Sequence, residues 1–305
     1  MHSDGVTRVW DAGRPVDVLA TLAPLRRGTG DPAHRVDASG RFWWACATPA
    51  GDGTMAIQGR GTAVTATAWG PGAGWLLDRL PALLGENDDW SALDLDDHPV
   101  LREVLRRRPG MRFPATGLVL DALVPTVLEQ RVTGNEARRA WRQLLRRYGR
   151  VAPGPTAELR IPPEARTLLD VPTWAWHRLG VDLQRQRAIR AAATVAPRLE
   201  ESATMSFDAA LARLRVVPGI GVWSAAETVQ RSMGHPDAVS FGDYHIKNHV
   251  VHYFTARARG TDEEMAELLA PWAGQRQRIV RLIELCGVSA PKFGPRFSPN
   301  DIRAI

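Results

Sequence analysis

Pro218-Gly219-Ile220-Gly221 separates two amphipathic runs and restricts the possible folds of this chain more than any other stretch. Upstream, Ser206 stands as an N-cap, and Leu211, Leu214 and Val217 mark one apolar helical face. Downstream, Trp223-Ser224-Ala225-Ala226-Glu227-Thr228-Val229 starts a second helix. Proline breaks the first helix, and two glycines flanking one aliphatic residue permit a tight reversal. The backbone amides from Gly219 through Ile220, Gly221 and Val222 then face outward at a helix N-terminus. Unpaired amides and the positive helix end together favour a phosphate there without any basic side chain. A contact of this kind positions a protein on a nucleic-acid backbone and reads no bases. An ordinary helical hairpin has the same pattern, so both readings stand on these residues alone.

Charge favours a polyanionic partner. Lys and Arg number 39 against 33 Asp and Glu, a net charge of +6. At 305 residues, two or three packed subdomains are expected. Apolar residues at 44% and charged residues at 24% exclude wholesale disorder. No apolar run reaches the length of a membrane span. Met1-His2-Ser3-Asp4-Gly5 lacks the basic start and apolar stretch of a secretory signal, which makes the cytoplasm the expected compartment. Cys46 and Cys286 are too few for a disulfide framework, a zinc knuckle or a four-cysteine cluster. No cofactor is expected.

Short β-prone runs at Val16 to Leu19, Arg41 to Ala47, Met55 to Gln58 and Ala63 to Trp69 predict a small antiparallel sheet. Ala50-Gly51-Asp52-Gly53 reads as a loop and Gly59-Arg60-Gly61 as a hairpin turn. Trp75, Leu76, Leu80, Leu83 and Leu84 predict a helical face, followed by a solvated acidic linker through Asp88, Asp89, Asp94, Asp96 and Asp97. Beyond Pro114 the pattern is helical. Leu120, Leu123, Val124, Val127 and Leu128 recur at helical spacing, with Pro125 marking a kink or a start. Thr133-Gly134-Asn135-Glu136 fits a capping box, and Ala137, Ala140, Trp141, Leu144, Leu145 and Tyr148 form an apolar stripe. The opposite face carries Arg138, Arg139, Arg142, Arg146 and Arg147, either as a solvated surface or as a track for DNA. Val151 to Pro163 reads as a loop, with short helices following. The expected organisation is α+β: an N-terminal accessory unit over 1–98 and a mostly helical body over 99–305, with the hairpin at 206–230.

After the hairpin, Ala238-Val239-Ser240-Phe241 is extended and Gly242-Asp243-Tyr244-His245-Ile246-Lys247 opens a helix. By itself Asp243 suits an N-cap. His245, His249 and His252 include an i, i+4 pair, but the His-Glu-x-x-His arrangement of a helical zinc site is absent, and no metal is expected.

Two segments at this separation resemble the helix-hairpin-helix DNA glycosylases, and among them the alkylpurine branch typified by bacterial 3-methyladenine DNA glycosylase II. Leu214 to Trp223 matches the Leu-x-x-x-Pro-Gly-Ile-Gly-x-Trp hairpin, and Asp243 to Lys247 matches Asp-Tyr-x-Ile-Lys, where the catalytic aspartate stands. Arg108 to Pro114 resembles the family's entry into its helical body, Leu128 to Thr133 its duplex-penetrating loop, and the N-terminal sheet its accessory domain.

The resemblance implies a DNA base-excision repair enzyme that flips a damaged base out of double-stranded DNA and hydrolyses its glycosidic bond. Alkylated purines such as 3-methyladenine are the first expectation. Another lesion, deaminated or bulky, is the alternative, as is a non-catalytic damaged-DNA-binding protein. Asp243 would stabilise the cationic sugar or activate water. Gln130 and Arg131 would fill the gap in the stack, although the family carries an aliphatic residue at Arg131. Trp223 stands where bifunctional relatives carry a Schiff-base lysine, so hydrolysis without lyase activity is implied. Trp223 either stacks on the base or is a core aromatic. Glu227, where the family tends to have an aromatic, would bring an acid into the base pocket. Lys247 would contact phosphate or support the structure. A monomer in the cytoplasm, associated with the nucleoid, is expected.

Overall fold

The computed structural model describes residues 4–291. Sequence expectations touching Met1-His2-Ser3 and residues 292–305 lie outside that range. The chain begins with β1 (Val6–Asp11), α1 (Val18–Leu22), β2 (His34–Val36), β3 (Phe42–Thr48), β4 (Gly51–Arg60) and β5 (Ala63–Trp69). The strands form one antiparallel sheet in the order β1-β5-β4-β3-β2. Alternation along β5 turns Val64, Ala66 and Ala68 inward, where they pack with Phe42, Trp44, Met55 and Ile57. α2 (Ala73–Asp78) and α3 (Leu80–Leu83) close this core with Leu76, Leu77, Leu80 and Leu83. β3 is apolar on both faces because its reverse side is also covered. There Trp43 stacks on Trp69 at 5.4 Å, and Ala152, Leu159 and Ile161 complete the cluster.

Three local expectations differ from the structure. Val16 to Leu19 is not a strand, because Asp17 caps α1 by accepting from the Ala20 amide at 2.9 Å. Gly51, Asp52 and Gly53 belong to β4, with Thr48 paired to Gly51, so the turn is Pro49-Ala50. The next hairpin turns at Gly61-Thr62, because Arg60 pairs with Ala63. Gly61 has φ of 63°, as a tight hairpin turn requires.

The acidic segment is not simply a solvated linker. Asp88 is buried, accepts from Trp90 Nε1 at 2.7 Å and the Phe113 amide at 2.8 Å, and pairs with Arg278. Trp90, Leu93 and Leu95 accordingly join the C-terminal helices in one core.

The rest is helical: α4 (Pro99–Arg106), α5 (Val119–Leu128), α6 (Gly134–Tyr148), α7 (Ala165–Asp170), α8 (Thr173–Arg178), α9 (Leu183–Thr194), α10 (Ala196–Glu200), α11 (Phe207–Arg215), α12 (Val222–Ser232), α13 (Ile246–Thr255), α14 (Asp262–Leu269) and α15 (Arg276–Leu285). Two-residue strands β6 (Arg150–Val151) and β7 (Arg160–Ile161) interrupt the loop expected between Val151 and Pro163. α5 runs through Pro125 without ending. Its first amides are capped from outside, with Val119 and Leu120 donating to the Glu200 carboxylate at 2.8 Å each. Thr133 and Glu136 form the expected capping box of α6. One helical core gathers α5, α6, α9, α11 and α12, and a second joins α4, α13, α14 and α15. Among the described residues no helix is long and apolar enough to cross a membrane.

Candidate active site

Gly219 and Gly221 differ in what they supply. Gly219 has φ of 88°, and a Cβ there would meet the Ala188 Cβ of α9 at 2.7 Å, so both conformation and packing require glycine. A Cβ on Gly221 would meet nothing within 4 Å. Its backbone is extended, and the first helical bond of α12 runs from the Ala225 amide to the Gly221 carbonyl at 3.0 Å. The amides just before it have no partner within the helix and no side-chain cap, and they open onto an exposed surface. Ile220 is only 4% exposed, packs into the helical core and donates its amide to the Val217 carbonyl at 3.0 Å, so contrary to the sequence expectation its N–H closes the turn and does not face outward. Ser206 adopts N-cap backbone geometry but makes no side-chain capping bond.

Asp243 follows a sharp turn at Gly242, where φ is 87°. Its Oδ1 accepts from the amides of His245 at 2.7 Å and Ile246 at 2.9 Å, which are the capping contacts of α13. Its Oδ2 accepts from Trp223 Nε1 at 3.0 Å. Three N–H donors therefore hold one carboxylate beside the N-terminus of α12. Trp223 is half-buried, and its indole nitrogen is committed to Asp243. Lys247 pairs with Asp262 at 3.2 Å, and the other Asp262 oxygen accepts from the Gly242 amide at 3.0 Å. Lys247 thus braces the turn that delivers Asp243.

Glu227 is not an unpaired acid in a pocket. It is buried on α12, accepts from Arg231 Nη1 at 2.7 Å, and receives the Ser240 hydroxyl on its other oxygen. Burial pushes the Glu227 carboxyl up, but Arg231, Ser240 and Arg27 outweigh it and hold the group below its ordinary range. Arg27 in turn grips Glu129 through contacts of 2.9 and 2.8 Å. Arg27 and Arg231 are brought together across 204 residues of sequence, and no local pattern marks either of them.

The loop after α5 divides its two expected residues. Gln130 Nε2 donates to the Gly219 carbonyl at 3.0 Å and to Ser224 Oγ at 2.8 Å, tying this loop to the hairpin. Arg131 is exposed at the tip with φ of 57°, a left-handed conformation uncommon outside glycine. On the basic face of α6, Arg138, Arg139, Arg146 and Arg147 are exposed, whereas the stem of Arg142 lies over Gly30. The rings of His245 and His249 meet edge to face at 6.4 Å. Among the described residues no group of three or more His, Cys, Asp or Glu is arranged to hold a metal ion.

A glycine hairpin at one helix end, a carboxylate fixed beside it and a loop tied to that hairpin by Gln130 define a class of fold. The chain has the fold of the helix-hairpin-helix DNA glycosylases. Among solved structures it is similar to a 3-methyladenine DNA glycosylase from Archaeoglobus fulgidus, with a TM-score of 0.77 and 14% identity over 92% of this chain and 98% of that one. It is also similar to a Clostridium acetobutylicum 8-oxoguanine glycosylase/lyase in complex with double-stranded DNA, with a TM-score of 0.68 and 11% identity over 92% and 94%. A curated relative from Mycobacterium tuberculosis, described as a probable bifunctional transcriptional activator/DNA repair enzyme AlkA, is 31% identical over 152 residues. That match covers 49% of this chain and 30% of the relative's own length. No family model matches the chain.

Proposed function

We propose that this protein is a DNA N-glycosylase of base-excision repair, acting on double-stranded DNA that contains an alkylated purine. The observation that carries the reading is the Asp243 carboxylate, held by Trp223 and two amides beside the exposed N-terminus of α12. The α12 amides take a phosphate, which sets the register of the duplex. A damaged base leaves the stack more cheaply than an intact one. Arg131, at the tip of the loop braced by Gln130, enters the gap. The bond between C1′ and the base nitrogen then breaks, and its electron pair departs with the base. Asp243 stabilises the positive charge left on the sugar and takes a proton from the water whose oxygen bonds to C1′. A base already cationic from alkylation needs little help to leave.

Hydrolysis without lyase chemistry is part of this proposal. Trp223 has no amine to form a Schiff base, and Lys247 is engaged by Asp262. The sheet over 1–98 is the accessory unit, the protein acts as a monomer, and its place is with the nucleoid.

Incubating the protein with methylated duplex DNA and measuring free bases by chromatography tests the reading. Release of 3-methyladenine or 7-methylguanine is expected from the wild type and not from Asp243→Asn, with DNA affinity kept in both. Equal release by Asp243→Asn would remove the mechanism. The buried Glu227–Arg231 pair favours a second reading, in which the substrate is a different lesion, since no free acid stands at that point of the pocket. Release confined to deaminated bases would select it.

A further inference from the structure

α13 and α15 enclose a concavity of about 370 Å³, part of it open to solvent, that starts at the residues holding Asp243. Its walls are His245 and His249 with Ile246 on α13, and Val280, Ile283 and Glu284 on α15. The amides of His245 and Ile246 are the same ones that donate to Asp243 Oδ1. Its enclosed part is only about 110 Å³, below the roughly 300–1,000 Å³ typical of small-molecule sites, so a single heteroaromatic ring would lie partly in the open and a nucleotide would not fit.

The chemistry of the walls is uneven. Two imidazoles and three aliphatic side chains make faces on which a flat ring can lie. Glu284 is the one carboxyl among these walls, and 38% of its side chain remains accessible. Arg281 Nη1 donates to one of its oxygens at 3.5 Å, a long and therefore weak hydrogen bond. Glu227 and Arg231 lie close enough to be felt by Glu284, but they are bound to each other. Burial pushes the Glu284 carboxyl above its ordinary range, and Arg281 offsets that only in part. A ligand bringing positive charge or N–H donors into the concavity would add to that offset.

We propose that this concavity receives the flipped base and that Glu284 is its specificity-determining residue, selecting purines that are cationic or present N–H donors. The assignment rests on the glycosylase reading above. It moves base selection from Glu227, which is occupied, to Glu284, which faces the open space.

Single-turnover base release by the full chain tests it, with one duplex carrying 7-methylguanine and another carrying 1,N6-ethenoadenine, a neutral purine whose base has no N–H donor. Glu284→Gln keeps the shape and removes the charge. Glu284→Ala removes both, and thermal unfolding checks that each variant is folded. The expected result is a loss on the order of tenfold on 7-methylguanine in both variants. Release of 1,N6-ethenoadenine by Glu284→Gln should fall far less than release of 7-methylguanine, with affinity for abasic duplex kept. Equal rates for wild type and variants on 7-methylguanine, or equal losses on both lesions, overturn the role of Glu284 and leave Asp243-dependent release standing. Absence of release by the wild type from every duplex overturns the glycosylase reading, and this assignment with it.

Discussion

Trp223 Nε1 donates to Asp243 Oδ2 at 3.0 Å, so a residue in the first turn of α12 also orients the carboxylate to which the proposed mechanism assigns the chemistry. Replacing Trp223 with phenylalanine keeps an aromatic and removes this donor. The expected effect is a fall in kcat of about tenfold, the scale of one lost hydrogen bond to a charged group. Folding and affinity for abasic DNA should persist. Steady-state kinetics on a methylated duplex would show it, and an unchanged kcat would detach Trp223 from the chemistry.

The two hairpin glycines should part company. Gly221→Ala meets no neighbour, so thermal stability should be unaltered while the methyl group crowds the approach of a phosphate to the amides. A several-fold rise in Kd for undamaged duplex is expected. Gly219→Ala forces φ of 88° on an L-residue and drives its Cβ into Ala188, so it should lower stability by about 1–3 kcal/mol. Calorimetry and fluorescence anisotropy on the two variants separate the cases, and identical behaviour would contradict them.

Gln130 and Arg131 are neighbours with different tasks. Gln130→Ala frees the loop from Gly219 and Ser224, so both DNA affinity and excision should fall together. Arg131→Ala leaves that tie in place and should reduce excision more than affinity for an abasic duplex, where no base has to be displaced. The comparison needs only single-turnover rates beside binding curves.

Asp121 gives stability a pH dependence. It lines a partly open cavity with Arg27, His34 and Trp141, and burial, followed by Glu200 and Asp31, raises its carboxyl from 3.8 to about 8. Because the folded value lies above the unfolded one, its contribution to stability is complete below about pH 4 and is lost as pH rises through about 8. Asp121→Asn should therefore unfold at a higher temperature than the wild type at pH 8.5, by roughly 2–4 °C per kcal/mol recovered. The gap should narrow towards pH 5. A gap that widens on acidification would show that the Asp121 carboxyl is ionised in the folded protein.

Much of the architecture was legible because it follows from local rules. Strict alternation placed β5 at Ala63 to Trp69, and the capping box placed the start of α6. Val16 to Leu19 misled because two β-branched residues outweighed the Asp17 cap between them. Asp88 misled for another reason: in a run of acids nothing local distinguishes the one that Arg278 will bury.

The hairpin and Asp243 were also legible, since glycines at a helix start and a carboxylate in a helix-opening turn are written in consecutive residues. Their conjunction was suggested by a family resemblance, and their contact was not visible at all. Trp223 reaching Asp243, Gln130 reaching Gly219, and Arg27 joining Glu129 beside Arg231 and Glu227 join residues up to 204 positions apart. Short-range propensity acts over a few residues, and only the packing of α5, α12 and α13 against the N-terminal segment decides which distant charges meet. Sequence by itself determined the helical body, the sheet and the residue types available for catalysis. Tertiary structure decided that Glu227 is paired with Arg231 and that Glu284 lines an open concavity, because burial and pairing belong to the assembled fold and to no single segment.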